Sequence, residues 1–346
     1  MPKPRRTWPQ RVIIGLNIVI VLTAALSAVV LAYVKDTVSD LDRISFGGLL
    51  DDPEVPQSNS SDGEDDADPN VEPLKPALNF LLVGVDSIAG LPPDHILRQT
   101  RSGTQLTDTL IVLRVDPNTG AASAVSIPRD LWVPIDGGAE GKINSALAFT
   151  GEPGLVQTIQ DALDIPIHRY IQVDFNGFLE LIRILGGIDV YLEYPLRDPK
   201  AQFEVTRTGC VNLSPDEALG YVRARTLRAQ INGEWVRVDS NSDLGRISRQ
   251  QDFLVLAINK AFSQGMTNPS TLKSLLDNVA GFVTLDEFLT PQELVDLAAD
   301  FSGFAGDDLE RLTLPVVVGT AGDASVVRLV EAEAQDVLAV FRGEKP

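Results

Sequence analysis

The stretch "SAVSIPRDLWVP", residues 123–134, places two opposite charges at the end of an apolar run. The run up to Ile127 has the apolar, β-branched character of a buried β-strand. Pro128 follows, and Arg129 and Asp130 then stand side by side. The pattern predicts a strand that delivers a charged pair at its end.

Two earlier runs predict two further strands. "NFLLVGV" (79–85) and "TLIVLRV" (109–115) are short and almost continuously apolar, as strands buried on both faces are. "DPNTG" (116–120) predicts a turn into "AASAVSI" (121–127), because Gly120 can adopt a positive φ.

Helical periodicity follows these strands. "GLVQTIQDAL" (154–163) and "FLELIRIL" (178–185) predict helices, and "GIDVYLEYP" (187–195) predicts another strand. Strands mixed with helices predict an α/β fold, in which helices flank a central mixed sheet.

The predicted strand ends gather the charged residues at one edge of this sheet. Asp86 follows the first strand, and Asp108 precedes the second. If the strands are antiparallel neighbours, both acids lie at the same edge, and the third strand returns there with Arg129 and Asp130. Paired carboxylates are ligands for Mg²⁺, and a guanidinium matches phosphate geometry. The alternative interpretation is a turn cap at Asp86 and an exposed ion pair at Arg129 and Asp130.

A second cluster of charges lies later in the chain. "LSPDEALGYVRART" predicts a helix with a Ser214 N-cap and a capping box, and it presents Arg223 and Arg225. "SDLGRISRQQDFLVLAINKAF" predicts a long amphipathic helix, one face of which carries Arg246, Arg249 and Gln250. Six arginines and no lysines fall between residues 223 and 249. A solvated helix face normally mixes lysine with glutamate, so this composition favours a site for an anion with more than one phosphate.

The first 76 residues predict an anchor and a spacer rather than part of a fold. An uncharged, mostly apolar run at 12–34 is about 34 Å long as a helix, enough to cross a bilayer core of about 30 Å. Four basic residues in segment 1–11 predict a cytoplasmic N-terminus and an extracytoplasmic remainder, on a single-pass membrane protein. A cleaved signal peptide is the alternative, although its apolar region is usually shorter. Segment 35–76 is acidic and rich in Pro and Ser, which predicts an extended linker before a domain at 77–346.

Composition excludes several kinds of site. The formal net charge of −19 argues against a nucleic-acid partner. The single cysteine, Cys210, excludes an internal disulfide and a cysteine-based zinc cluster. His95 and His168 are the only histidines, so a histidine-rich metal site is excluded as well.

From residue 78 to 263 the chain resembles the LytR-CpsA-Psr family of bacterial cell-wall proteins. The resemblance is carried by motifs in matching order: "NFLLVGVDS", "TDTLIVLRVDP", "SIPRDLWVPI", "KINSALAF", "VDFNGFLELIRILGGIDV", "LSPDEALGYVRART" and "DLGRISRQQ". It implies an α/β domain that transfers a glycopolymer from a polyprenyl-pyrophosphate carrier to peptidoglycan through a phosphodiester bond, with Mg²⁺ as cofactor.

The resemblance also implies roles for residues. Asp86 and Asp108 match the acids associated with Mg²⁺, and Asp130 is expected to orient Arg129. The residues expected to grip the pyrophosphate are Arg129, Arg223, Arg225, Arg246, Arg249 and Gln250. Lys142 and Asn144 match family positions without an assigned role. The apolar helices 154–163 and 178–185 are candidates to line a groove for the lipid.

Two features depart from the family pattern. An arginine often precedes the acid of the "DT" motif, whereas this chain has Leu106 and Thr107 before Asp108. Arg98 and Arg101 are candidate replacements. The loop 226–242 is long and is a candidate wall of the acceptor groove, in which Trp235 would stack on a sugar or anchor the loop.

Two other functions remain open from the sequence. A Mg²⁺-dependent pyrophosphatase would use the same residues with water as the acceptor. A non-catalytic surface protein that binds anionic polymer or lipid would need the arginines but not both acids. The C-terminal extension, 264–346, is predicted to pack on the same domain, with helices at 269–286, 290–304 and 325–343 and a strand at 309–320.

Overall fold

The computed structural model describes residues 42–50, 75–87, 107–238, 242–263, 282–290, 293, 296–297, 300 and 308–345. The predicted membrane-spanning segment 12–34 and the loop containing Arg98 and Arg101 lie outside these residues. Across the described part of the chain, no helix combines the length and apolar composition that crossing a membrane requires.

The described secondary structure alternates strands with helices. The strands are β1 (Asp42–Ile44), β2 (Leu78–Val85), β3 (Thr107–Asp116), β4 (Ala121–Ser126), β5 (Trp132–Pro134), β6 (Glu140–Lys142), β7 (Arg169–Val173), β8 (Ile188–Leu192), β9 (Leu196–Asp198), β10 (Phe203–Val205), β11 (Gly209–Leu213), β12 (Arg228–Ile231), β13 (Glu234–Arg237), β14 (Val283–Asp286), β15 (Leu309–Thr313), β16 (Val316–Ala321) and β17 (Ala324–Leu329). The helices are α1 (Ala146–Leu163), α2 (Phe175–Ile184), α3 (Pro215–Arg223), α4 (Ser242–Ser263) and α5 (Glu331–Arg342).

A seven-stranded mixed sheet forms the centre, in the order β1-β14-β7-β2-β3-β4-β15. The β2, β3 and β4 strands are antiparallel neighbours, whereas β7 runs parallel to β2 and β15 parallel to β4. The central mixed sheet predicted from the sequence is confirmed.

The two faces of this sheet bury alternate side chains of the same strands. Leu81 and Val112 face the core formed with α1 and α5. Phe80 and Ile111 face the opposite side, where they pack with residues of α4. Both faces are covered, which explains why the strands read as continuous apolar runs.

The register of β2, β3 and β4 confirms the predicted meeting of strand ends. Val85 at the end of β2 pairs with Thr107 at the start of β3. Ser126 at the end of β4 pairs with Ile111, so β4 returns toward the same edge. Asp86, Asp108 and Arg129 therefore leave the sheet at one place.

A smaller antiparallel sheet, β10-β9-β12-β13, contains much of the long loop 226–242. The sequence predicted an irregular loop there. The structure instead has a hairpin, with β12 and β13 joined through Asn232 and Gly233, both of which adopt positive φ. Such a two-residue turn matches the right-handed twist of the flanking strands.

Four predicted boundaries differ from the structure. Segment 35–76 is not linker throughout, because β1 pairs in parallel with β14 and Phe46 is buried in the core. The end of the predicted helix 269–286 is strand β14, and the start of the predicted helix 325–343 belongs to β17. The predicted strand at 309–320 divides into β15 and β16 at Leu314 and Pro315. Strands β1, β14 and β15 are placed by long-range pairing, which local periodicity does not report.

Candidate active site

A β-bulge gives Asp108 its position at the sheet edge. Gly84 pairs with Thr109, but the next residue, Val85, pairs with Thr107, so Asp108 is the extra residue of the bulge. A Cβ on Gly84 would lie 3.0 Å from the Cβ of Thr109, so only glycine fits there without a shift. Bulges re-aim side chains beside functional sites, and this one directs Asp108 into a cavity.

Arginines surround the Asp108 carboxylate. Nη1 of Arg129 donates to Oδ1 of Asp108 at 2.7 Å, and Nη2 of Arg225 lies 3.5 Å from the same oxygen. Burial alone would raise the pKa of Asp108, but the positive charges of Arg129, Arg225 and Arg246 outweigh it and hold this pKa below its ordinary value of 3.8. Asp108 is therefore ionised at neutral pH.

Lys142 extends the same chain of charges. Its Nζ lies 2.8 Å from Oδ1 of Asp130, while Oδ2 of Asp130 lies 3.7 Å from Nε of Arg129. The backbone N–H of Asn144 donates to the carbonyl of Arg129 at 3.1 Å. The "KIN" segment thus holds the Arg129 backbone and side chain, which gives Lys142 and Asn144 the structural role that the sequence left open.

The second arginine cluster lies on α3 and α4. Ser214 and Glu217 form the predicted capping box at the start of α3, with Pro215 in its first turn. At the other end of α3, the Arg223 guanidinium lies 4.9 Å from the centre of the Phe175 ring. Arg246 on α4 is 3 % exposed. The two helices therefore bring residues far apart in sequence to one cluster.

Arg249 and Gln250 join the two helices. Arg249 donates to the carbonyl of Ala224, and Nε2 of Gln250 donates to the carbonyl of Val222 at 3.3 Å. Gln250 lines the cavity, whereas Arg249 is buried behind Ala224 and is not among the cavity-lining residues. Its visible contact supports the backbone that carries Arg225.

A cavity of about 380 Å³ lies between the ends of β2, β3 and β7 and the helices α2, α3 and α4. Its charged lining consists of four basic and three acidic residues: Lys200, Arg223, Arg225, Arg246, Asp108, Asp174 and Asp198. Its apolar walls include Val173, Phe178, Leu181, Phe253, Leu254 and Ala257. The cavity thus joins a cationic cluster to an apolar surface.

Only one of the two helices considered for a lipid groove contributes to this cavity. Helix 178–185, within α2, supplies Phe178 and Leu181. Helix 154–163, within α1, was a wrong candidate because Leu155 and Ile159 pack in the core on the opposite face of the sheet.

The donor set for a metal ion is small. In the described residues, no group of three or more histidine, cysteine, aspartate or glutamate side chains is arranged to hold a metal ion. Asp86 and Asp108 leave the same sheet edge, and Oδ1 of Asp86 is buried. Two carboxylates fit Mg²⁺, which takes its other ligands from water and substrate phosphate at phosphoryl-transfer sites.

Two acids near the site were not singled out from the sequence. Asp174 lines the cavity and accepts from the N–H of Gly177 at 2.7 Å as the N-cap of α2, and burial raises the pKa of its carboxyl. An aspartate before the apolar run at 175–184 is an N-cap signal that could have located it. No local signal identifies Asp198.

Asp198 fixes the segment that carries Arg225. It is fully buried and accepts from the backbone N–H groups of Arg225 and Thr226 at 2.8 and 2.6 Å. Burial would raise the pKa of Asp198, but hydrogen bonds from Thr226, Arg225 and Lys200 lower it overall. Asp198 positions Arg225 through its backbone.

Comparison with known proteins now identifies the family. The sequence profile of the LytR_cpsA_psr family matches residues 54–341. The chain belongs to the LytR-CpsA-Psr family.

Relatives and a solved structure agree with this assignment. The chain is 32% identical over 213 residues to the probable cell wall biosynthesis protein LcpB of Corynebacterium glutamicum, covering 60% of this chain and 48% of LcpB. It is 33% identical over 238 residues to the polyisoprenyl-teichoic acid–peptidoglycan teichoic acid transferase TagU of Halalkalibacterium halodurans, covering 68% of each. The fold matches a LytR-Csp2A-Psr enzyme from Actinomyces oris with a TM-score of 0.62 at 21% identity, covering 87% of this chain and 95% of that one. The chain thus spans only about half the length of LcpB.

Proposed function

We propose that this protein transfers a cell-wall glycopolymer from a polyprenyl-pyrophosphate carrier to peptidoglycan and leaves a phosphodiester bond. The observation that carries the proposal is the cavity, which joins a cluster of arginines to apolar walls. A lipid pyrophosphate has the matching chemistry, with a multiply charged head and a long apolar chain. The name of the TagU relative, a polyisoprenyl-teichoic acid–peptidoglycan teichoic acid transferase, supports the same assignment.

The arginines would bind the pyrophosphate. Arg223, Arg225 and Arg246 line the cavity and present guanidinium groups that match phosphate oxygens. Negative charge builds on the leaving lipid phosphate during transfer, and fixed cations in a water-poor site stabilise that charge. Arg129 would act beside them, held by Asp108 and Asp130.

Phe178, Leu181, Leu254 and Ala257 would bind the first part of the polyprenyl chain. Apolar surface removed from water contributes roughly 25 cal/mol per Å². This binding would hold the pyrophosphate against the arginines and reduce the entropy lost in reaching the transition state.

Asp86 and Asp108 would hold a Mg²⁺ ion. When bound, the ion supplies positive charge that stabilises the transferred phosphoryl group. Because its pKa is lowered, Asp108 presents a carboxylate rather than a carboxylic acid at neutral pH.

The transfer itself balances without a further reactant. An acceptor hydroxyl oxygen of peptidoglycan bonds to the polymer-proximal phosphorus, and the bond from that phosphorus to the bridging oxygen breaks. Polyprenyl phosphate leaves with the bond electrons, and the hydroxyl proton passes to solvent or to a basic group. The predicted anchor at 12–34 would keep the site on the extracytoplasmic side of the membrane, near a lipid-linked substrate.

The test uses the full chain in detergent with a polyprenyl-pyrophosphate-linked glycopolymer and peptidoglycan fragments. We expect polymer to become covalently attached to the fragments with Mg²⁺ and not with EDTA. Polymer phosphate released to water despite the acceptor would instead indicate a pyrophosphatase. Tight binding without turnover, unchanged in Asp86→Ala and Asp108→Ala, would indicate a non-catalytic binding protein.

A further inference from the structure

Three arginines form a row across the small sheet. Arg228 pairs with Arg237 on β13 and with Arg197 on β9. Residues directly opposite in antiparallel strands point to the same face, with Cβ atoms about 5 Å apart. Ala229, the next residue of β12, is buried, so the arginine row lies on the outer face of the sheet.

This row places three like charges side by side, with one acid, Glu204, opposite Arg197 at its end. Directly opposed like charges are unfavourable between strands. Within the described residues, Arg197, Arg228 and Arg237 form no salt bridge, whereas other surface arginines do, including Arg183 with Glu180 and Arg311 with Asp252. Glu204 pairs with Arg197 in the register of β10, but it forms no ion pair with it. The outer face is therefore cationic on a chain whose net charge is −19.

Trp235 completes this surface. It pairs with Gln230 and lies two residues from Arg237 on β13, so it shares the outer face. The Arg197 guanidinium lies 4.0 Å from the centre of its ring. The face thus carries an aromatic ring beside guanidinium groups, on which sugar rings can stack and phosphates can bind.

The row lies close to the cavity along the chain. Arg225 lines the cavity, and Arg228 follows it by three residues, a span of at most about 11 Å. On β9, Asp198 lines the cavity and its neighbour Arg197 belongs to the row. A polymer that leaves the cavity mouth can therefore cross the edge of the small sheet and reach the row.

We propose that Arg197, Arg228, Arg237 and Trp235 bind a phosphodiester-bearing segment of the glycopolymer, beyond the pyrophosphate. The proposal rests on the function proposed above, and it deepens that function by naming the class of polymer as anionic rather than neutral. Three arginines, one on each of three neighbouring strands, fit a chain of phosphodiesters. The position beside the cavity mouth fits the donor substrate better than a lipid bilayer, which would meet a broader surface.

The test measures polymer binding rather than turnover, so it does not depend on the catalytic proposal. The full chain is reconstituted in phosphatidylcholine nanodiscs and titrated with lipid-free poly(glycerol phosphate) or with neutral dextran of similar length. The test variant is Arg197→Gln/Arg228→Gln/Arg237→Gln. The control, Arg183→Gln/Arg311→Gln/Arg328→Gln, removes the same charge from exposed positions elsewhere.

We expect the test variant to bind poly(glycerol phosphate) at least about tenfold more weakly than the wild type, since each charged contact contributes a factor of a few. The affinity of the control for poly(glycerol phosphate) should stay within about twofold of that of the wild type. None of the proteins should bind dextran with comparable affinity. Trp235→Ala should weaken binding further than Trp235→Phe, which keeps a ring.

Three results would overturn the proposal. Equal losses in the test and control variants would show that only net charge matters. Unchanged binding of poly(glycerol phosphate) in the test variant would remove the row as its site. If the test variant loses binding to phosphatidylglycerol vesicles but keeps its binding to poly(glycerol phosphate), the row binds a lipid surface instead. Transfer that fails in the wild type while polymer binding follows the expected pattern would instead contradict only the catalytic proposal.

Discussion

The two faces of the central sheet use the same strands for different purposes. On one face, Leu81, Val112, Ile159 and Phe341 are almost completely buried in a closed core. On the other face, the strand ends and helices α2, α3 and α4 leave a cavity of about 380 Å³ with arginines at its polar end. Alternating side chains let one strand support both, so substitutions on the two faces should have separate consequences.

The largest expected effect is on the cavity face. Arg129→Ala removes the guanidinium that contacts Asp108 at 2.7 Å. We expect the rate of polymer transfer to fall by about 1000-fold, because removing one preorganised donor of this kind costs that much. The measurement is the initial rate with lipid-linked polymer and peptidoglycan fragments.

Arg183→Ala is the matched control, because this arginine is 61% exposed and pairs with Glu180 on the same helix. Its rate should stay near that of the wild type. A rate for Arg129→Ala within tenfold of the wild type would remove Arg129 from the site.

The second effect belongs to the closed face. Ile159→Ala deletes a fully buried side chain of α1 and leaves a void in the core. We expect the free energy of unfolding to fall by about 2–5 kcal/mol, measured by urea denaturation. Val317→Ala, at an exposed position, should change it by less than about 0.5 kcal/mol.

The comparison also requires that folded Ile159→Ala keeps its activity. Its transfer rate per folded molecule should match that of the wild type. A loss of rate as large as the one expected for Arg129→Ala would show that the two faces are not separable.

A smaller effect is expected along the apolar wall. Phe178→Ala removes a ring that lines the cavity and whose centre lies 5.5 Å from the centre of the Phe253 ring. Full burial of a phenylalanine side chain contributes roughly 1.5–3 kcal/mol, and the substitution removes this contact with the lipid. We therefore expect KM for a long polyprenyl donor to rise about tenfold. Tyr191→Ala removes an exposed aromatic from β8 and should leave KM unchanged. An equal rise in KM for a donor with a very short chain would argue against a lipid wall.

The smallest effect concerns pH. The pKa of Asp108 is lowered in the fold, so its ion pairs stabilise the protein fully above the ordinary value of 3.8, and this stabilisation is lost as the pH falls through the lower folded value. Asp108→Asn should therefore be less stable than the wild type at pH 7, because the ion pairs of the carboxylate with the arginines are lost. The difference should shrink as the pH falls below 3.8. A difference that grows on acidification would contradict the assigned direction of the pKa shift.

The sequence predicted where Asp86, Asp108 and Arg129 gather because local signals determine it. Continuous apolar runs defined β2, β3 and β4, and a short turn fixed β3 and β4 as neighbours. Once these strands are antiparallel, Asp86, Asp108 and Arg129 must leave one edge. The capping box at Ser214 and Glu217 likewise located α3.

What the sequence did not predict depends on long-range packing. The periodicity of 154–163 identified a helix with an apolar stripe, but not which face of the sheet the stripe covers. The pairing of β1 with β14 joins residues more than 200 positions apart and has no local signal. The arginine row required the register of β9, β12 and β13, which the irregular composition of 226–242 concealed.

The most direct test of the central claim maps where the lipid chain lies. The full chain would be irradiated with a polyprenyl pyrophosphate carrying a photoreactive group on the lipid near the phosphates, and the labelled peptides would be identified by mass spectrometry. The account predicts labels on α2 and α4, around Phe178, Leu181, Leu254 and Ala257, with competition by unlabelled polyprenyl pyrophosphate. Labels concentrated on α1 or α5, or labels that the competitor does not displace, would contradict it.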